Sequence, residues 1–384
     1  MATKYGGYMG KILQIDLTTE TAKEYPFTDQ QRKETLGGKM LADHILSSKL
    51  TGRERPFSEE NLVIFSTGPL TGTGVPGSVR FDITTLSPKT GLPMPSNCGS
   101  RFGLHLKKAG FDALILSGRC KTHRWLEIRE DQIQFHDAHA LWGSGIGECR
   151  KMLSDRLDYD AYSCLCIGSA GEDLLPAATV ISDGRAAGRA GFGAVLGWKN
   201  LKAITVTGNK AIPLSDPIKA AEEIQKWNRQ ILQNPLTSDP TKVSSCPGCP
   251  ICCKKPGKDP DPVLNDLGID SIDAGNHLTW LREKHGVTLE NTSASKCGQR
   301  RNKFYHSLLE SLKMQDCDET YQAYQKQTEV ISASGLCIFT AISCLDIQHS
   351  SNPFTDSSRL ARLLRYSTGI VFSQEELIAV GNDR

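Results

Sequence analysis

The sequence of 384 residues is poor in net charge, in long apolar runs and in secretory features. Its 45 Lys and Arg nearly balance 43 Asp and Glu, so a formal charge of +2 gives no field for holding nucleic acid or an anionic membrane. No apolar run approaches the roughly 18 residues that a membrane span takes. The opening Met1-Ala2-Thr3-Lys4-Tyr5-Gly6-Gly7 has no apolar signal core, and a cytoplasmic chain is expected. No internal repeat is apparent. With 39% hydrophobic and 23% charged residues, disorder is excluded and the length suits two or three domains. Small molecules and redox proteins are the expected partners.

Cysteine, by contrast, is abundant. Thirteen in a chain of this size without a leader read as reduced thiols, several of them ligands, rather than as a disulfide framework. Cys246, Cys249 and Cys253 stand at C-x2-C-x3-C spacing in a turn-rich loop, and Cys337 offers a distant fourth thiolate. That pattern suits a cubane iron-sulfur cluster. A closed tetrahedral zinc site is the alternative, although zinc more often uses two paired knuckles. Cys252 is a spare thiol beside Cys253. Cys164 and Cys166 fall in an apolar run that reads as core, while Cys98 lies in a polar segment.

Short β-branched runs over 11–16, 61–66, 80–86, 112–117, 125–129 and 203–206 predict strands, and 41–49, 101–109 and 146–157 show helical spacing. The fold class is α+β. A β-rich N-terminal domain over 1–210 precedes a mostly α-helical region over 211–384 that carries the cluster cysteines. Asp216 and Pro217 open a helix toward Leu232. Further helices are expected over 269–284, 303–313, 320–332 and 374–380, the last opened by a Ser373-x-x-Glu376 capping box. Segments 235–247 and 254–264 read as loops.

Gly72-Thr73-Gly74-Val75-Pro76-Gly77 matches the dinucleotide fingerprint in letters only. A strand-like run follows it where a helix is required, so it does not signal NAD. The segment from Arg185 to Gly197 sets Arg185 and Arg189 among small residues. Ser78-Val79-Arg80, Ser96-Asn97-Cys98-Gly99-Ser100-Arg101 and Ile167-Gly168-Ser169-Ala170-Gly171-Glu172 share this character. Small residues let backbone amides approach an oxyanion, and arginine forks onto phosphate. Together these segments suggest a phosphate-bearing cofactor cradled by loops.

Residues 5–208 resemble the N-terminal domain of the tungsten-containing aldehyde ferredoxin oxidoreductase family. The likeness rests on Gly10-Lys11-Ile12-Leu13-Gln14-Ile15-Asp16, Gly68-Pro69-Leu70-Thr71-Gly72, Asn97-Cys98-Gly99, Lys108-Ala109-Gly110-Phe111-Asp112-Ala113, Gly168-Ser169-Ala170-Gly171-Glu172 and Gly197-Trp198-Lys199-Asn200-Leu201-Lys202. The resemblance implies a tungsten-bis(pyranopterin) centre, with molybdenum as the alternative metal, a bridging Mg2+ and a 4Fe-4S cluster on Cys246, Cys249, Cys253 and Cys337. It implies oxidation of a small aldehyde to a carboxylic acid, with electrons passing to ferredoxin or another redox protein. A homodimer is compatible with it.

Carried over by position, Arg80 and Arg189 would meet pterin phosphates, and Asn97 and Ala190 would give magnesium their backbone oxygens, with Gly99 beside them. Asn265, Asp266, Gly268 and Asp270 would hold one pterin, and Gly335 and Leu336 the other. Asn265 and Ser332 stand where the family has aspartate in its D-x-x-G-L-[DC] motifs. The chain is also shorter than the family's usual length beyond residue 210. No catalytic proton carrier is placed, and His277 and His306 read as ordinary helix residues. The competing reading is a non-catalytic iron-sulfur and pterin-binding electron-transfer subunit or a degraded homologue.

Overall fold

The computed structural model describes residues 3–157, 161–188, 190–233, 246, 248–251, 262–269, 318–342 and 357–380. Its first sheet contains β1 (Ile12–Asp16), β2 (Thr21–Tyr25), β3 (Val63–Thr67), β4 (Arg80–Leu86), β5 (Pro93–Gly99) and β6 (Ala113–Ser117) in the order β2-β1-β6-β3-β4-β5. The second contains β7 (Arg124–Arg129), β8 (Gln132–Asp137), β9 (Ser163–Cys166), β10 (Val180–Ser182), β11 (Arg185–Ala187) and β12 (Leu201–Thr207) in the order β11-β10-β9-β12-β7-β8. In each sheet one pair is parallel, β1 with β6 and β7 with β12. The α+β class expected from the sequence is the one observed.

The two sheets have one topology. Advancing each strand of the first by six positions reproduces the order of the second, read from its other edge. Helix α1 (Asp29–Thr35) is followed by α2 (Gly38–Lys49) between β2 and β3, and α3 (Phe102–Ala109) lies between β5 and β6. The counterparts are α4 (Ile146–Ser154) between β8 and β9 and, after the short α5 (Ser169–Glu172), α6 (Phe192–Trp198) between β11 and β12. The expectation of no repeat is thus corrected: the duplication lives in backbone pairing. It is masked in sequence because β10 and β11 have three residues each where β4 and β5 have seven.

Period-two burial explains the layers. In β3, Val63 and Phe65 enter the core shared by both sheets, while Ile64 turns toward Leu41 and Ile45 of α2. In β9, Leu165 enters that shared core, and Cys164 and Cys166 turn toward Cys149 and Leu153 of α4. Both sulfurs are buried, as the apolar run suggested. Phe102 and Leu106 of α3 and Phe192, Val195 and Leu196 of α6 complete the shared core.

Beyond β12 the described elements are helices: α7 (Pro217–Gln233), α8 (Pro262–Leu267), α9 (Asp318–Ala333), α10 (Ile338–Ile342), α11 (Ser358–Thr368) and α12 (Gln374–Val380). The Asp216 carboxylate accepts from Lys219 N at 3.0 Å at the start of α7. Ser373 and Glu376 form the expected capping box. Trp227 and Ile231 of α7, Val330 and Ile331 of α9, and Leu360, Leu363 and Leu364 of α11 share a second core with Leu70 and Val75 of the β3–β4 connection. That core ties the helices to one edge of the first sheet. Residues 262–264, read as loop, are the first turn of α8, with Pro262 at its opening position where proline is well suited. The helices expected over 303–313 and beyond Ile269 toward Lys284 lie outside the described residues, as do His277 and His306. Among the described residues no helix is long and apolar enough to cross a membrane.

Candidate cofactor and metal site

Two helix ends are folded in the same way and seated on equivalent glycines. At the end of α8, Gly268 N–H bonds to Asn265 O at 3.1 Å and Ile269 N–H to Leu264 O at 2.9 Å. At the end of α9, Gly335 N–H bonds to Ser332 O at 2.9 Å and Leu336 N–H to Ile331 O at 3.1 Å. This reciprocal pair is the Schellman ending, which needs a left-handed residue, and Gly268 (φ 68°) and Gly335 (φ 85°) provide it. The first ending rests on Gly168, just beyond β9, and the second on Gly68, just beyond β3. A methyl group on Gly168 would overlap the Leu267 carbonyl, and one on Gly68 would overlap the backbone of Ser334 and Gly335. The topological repeat therefore extends to these two docking points.

Each ending is also sewn on by backbone. Thr179 N–H bonds to Gly268 O at 2.7 Å beside the Ala178–Ile269 bridge, and Leu70 N–H bonds to Ser334 O at 3.0 Å. Asn265 is half-buried at its turn. Asp266 points elsewhere: its Oδ1 accepts from Gly147 N at 2.7 Å, satisfying the first turn of α4, whose N-cap Gly145 has no side chain to do so. Leu336 is buried in the second core. Asp270 lies outside the described residues.

The polar centre sits where β4 and β5 meet the end of α9. Arg80 heads β4, and Asn97 lies across from Asp82 in the β4–β5 ladder. Arg80 Nε donates to Asn97 Oδ1, and Nη2 reaches Asn97 O at 3.2 Å. Asn97 Nδ2 donates to Asp82 Oδ1 at 3.0 Å and contacts Ser332 Oγ at 3.2 Å. Asp82 is buried, and burial lifts its carboxyl to about 6 despite Asn97, Lys39 and Arg80. Residues 93–99 form an edge strand where the sequence reading had 96–101 as loop. The pairing tolerates Pro93 and Pro95 because β5 lies at the sheet margin.

Three cysteines lie near enough to act on the charge of Arg80. Burial would lower its guanidinium's affinity for a proton, but facing Cys337, Cys98 and Cys246, with Asp82, raise it. Cys246 Sγ approaches Gly99 O at 3.4 Å, and a methyl group on Gly99 would stand 2.9 Å from that sulfur. Cys337 N–H bonds to Gly77 O at 3.0 Å and opens α10, whose Thr340 Oγ1 is 4.0 Å from Cys249 Sγ. Burial, with Cys337 and Cys246 nearby, pushes the Cys249 thiol up to about 11, and burial holds Cys98 at about 12. Among the described residues no three such side chains form a closed metal-ligand group. Cys253 and Cys252 lie outside them.

Ala190 is buried in the shared core, while Arg189 lies outside the described residues. The structure thus brings Arg80, Asn97, Gly99, Cys246 and Cys337 to one place, and sets Asn265 and Gly268 at the second docking point. It adds Asp82, which sequence reasoning passed over inside a strand. The signal was available: one carboxylate in an otherwise uncharged run after Arg80. The donor set fits an anionic cofactor beside a thiolate-bound cluster, since a metal would displace the thiol protons and the guanidinium would face both.

The family model described as aldehyde ferredoxin oxidoreductase, N-terminal domain, matches residues 12–208. A tungsten-containing aldehyde ferredoxin oxidoreductase of Pyrococcus abyssi is 39% identical over 231 residues, which are 60% of this chain and 38% of that protein. The aliphatic sulfonate oxidoreductase, WOR-like subunit, of Pyrococcus furiosus is 34% identical over 222 residues, covering 54% of this chain and 35% of that one. The chain therefore spans less than two fifths of the length of these relatives. Among solved structures, the active-site complex BamBC of benzoyl coenzyme A reductase, in complex with 1,5-dienoyl-CoA, shares the fold. Its TM-score is 0.75 at 18% identity, over 98% of this chain and 87% of that one. The matched N-terminal domain places this chain in the aldehyde ferredoxin oxidoreductase family, whose curated members here are oxidoreductases.

Proposed function

We propose that the chain is a tungsten-type oxidoreductase that converts an aldehyde to the carboxylic acid and passes the electrons through a 4Fe-4S cluster to ferredoxin or a similar redox protein. The observation that carries this reading is Arg80, which donates to the Asn97 side chain and backbone and meets Cys246 Sγ over Gly99.

The bound pterin–metal centre would supply the oxygen-transfer and two-electron chemistry. The balance is aldehyde plus water giving acid, two protons and two electrons. This chain's residues would hold and orient it: Arg80 and Arg189 would neutralise phosphate, and the backbone oxygens of Asn97 and Ala190 would suit magnesium, a hard cation. Cys246, Cys249, Cys253 and Cys337 would supply the four cluster thiolates. Gly99, lacking a side chain, lets Arg80 and Cys246 close on each other.

The test is aldehyde-dependent reduction of a viologen dye by protein purified without oxygen. Reduction supports the enzyme. No reduction across aliphatic and aromatic aldehydes, in protein with its full metal complement, favours the electron-carrier reading. The span of less than two fifths of the relatives is the observation that keeps this second reading in view.

A further inference from the structure

Where the resemblance implies an aspartate, position 332 holds a hydroxyl, and a carboxylate from β4 stands behind it. Asp82 of β4 is 1% exposed, whereas Ser332, Asn97 and Arg80 are half-buried. Ser332 Oγ lies 3.4 and 3.5 Å from the two oxygens of Asp82. Asp82 also accepts from Asn97 Nδ2 at 3.0 Å and from the backbone N–H of Lys39 at the start of α2. Its ionised form has about four lone-pair sites, so it can accept a long hydrogen bond from the Ser332 hydroxyl without losing these partners.

The consequence is directional. A hydroxyl has one proton and two lone pairs. If the proton points to Asp82 and one lone pair receives Asn97 Nδ2, at 3.2 Å, the second lone pair is left for a donor on the half-buried side. A neighbouring carboxylate polarises that oxygen, as hydrogen bonds in a chain reinforce one another. The amino and ring N–H edge of a pterin is such a donor.

We propose that Ser332 and Asp82 act as one acceptor for the amino edge of a bound pterin. Ser332 Oγ takes the N–H, and Asp82 is a positioning residue that supplies the negative charge residue 332 lacks. This rests on the pterin-binding reading above. At the α8 end, Asp266, the residue after Asn265, accepts from Gly147 N–H at the start of α4 instead. The pterin held at the α9 end is therefore gripped by a charge-assisted acceptor, while Asn265 at the α8 end offers a neutral one.

The experiment measures pterin per chain, as the fluorescent oxidised derivative, and iron per chain in the same anaerobically purified samples after exhaustive dialysis. Asp82→Asn and Ser332→Ala should each lower retention of the α9-side pterin about tenfold, the effect of one charge-assisted hydrogen bond, with iron unchanged. Asp82→Asn combined with Ser332→Asp should return pterin to the wild-type content, which a merely structural Asp82 would not produce. Full pterin in either single variant, or no recovery in the folded double variant, overturns the proposal. If Asp82→Asn does not fold, Ser332→Ala decides alone. Wild-type protein with no pterin at all would instead overturn the reading on which the proposal rests.

Discussion

Replacing Gly68 by alanine tests whether the α9 ending is truly seated on the first sheet. Gly68 is outside the left-handed region, so the substitution carries no backbone penalty and acts only through the added methyl. That methyl would overlap the backbone of Ser334 and Gly335, which no rotamer change can relieve. The ending must lift, breaking Leu70 N–H to Ser334 O and Cys337 N–H to Gly77 O and exposing Leu336. Two hydrogen bonds at about 1 kcal/mol each and one leucine at about 2 kcal/mol give a loss of roughly 4 kcal/mol. Gly168→Ala should behave alike on the α8 side, against Leu267 O and Asp266 O. Gly52→Ala, at φ 82° in open space, should cost only about 1 kcal/mol through its backbone. Urea unfolding followed by circular dichroism reads all three. A loss below about 1 kcal/mol for both Gly68→Ala and Gly168→Ala would refute the docking argument.

Three further outcomes are expected. Asp82 has a folded-state pKa raised to about 6 by burial, above its ordinary 3.8, so the folded protein holds this proton more tightly than the unfolded chain. Its ionisation therefore costs stability as pH rises from about 4 to above 6, on the order of 3 kcal/mol, and Asp82→Asn should gain on wild type by that much between pH 4 and 7; a constant gap would contradict this. Lys202, buried with its Nζ on Glu172 and at 2.9 Å from Ser144 O, should cost about 3–5 kcal/mol when changed to methionine, because the buried Glu172 charge loses its partner. A thermal scan showing no loss would sink that reading. Cys246→Ser and Cys337→Ser should each abolish the visible absorption and the reduced-state paramagnetic signal of the cluster, and retention in both would remove them as ligands.

The sequence was legible where elements are long and alternate cleanly. Strand β3 and helices α2, α3 and α7 follow directly from apolar spacing and caps. It was misleading where pairing overrides composition: β5 holds Pro93, Pro95, Asn97 and Gly99, poor strand residues that the ladder to β4 nevertheless accommodates. The duplicated sheet was invisible because equivalence lies in strand order and in the seats at Gly68 and Gly168, not in shared letters. Arg80, Asn97 and the described thiols could be found from motifs. Asp82 showed as a lone carboxylate in a strand, but its partner Ser332, 250 positions away, is brought beside it only by folding.

The central claim is that one chain assembles a pterin–metal centre and an iron-sulfur cluster around Arg80. Mass-spectrometric counting of iron, tungsten, molybdenum, zinc and magnesium on anaerobically purified protein tests it most directly. The account predicts about four iron per chain with about one tungsten or molybdenum. Zinc alone, or iron without either heavier metal, would contradict it.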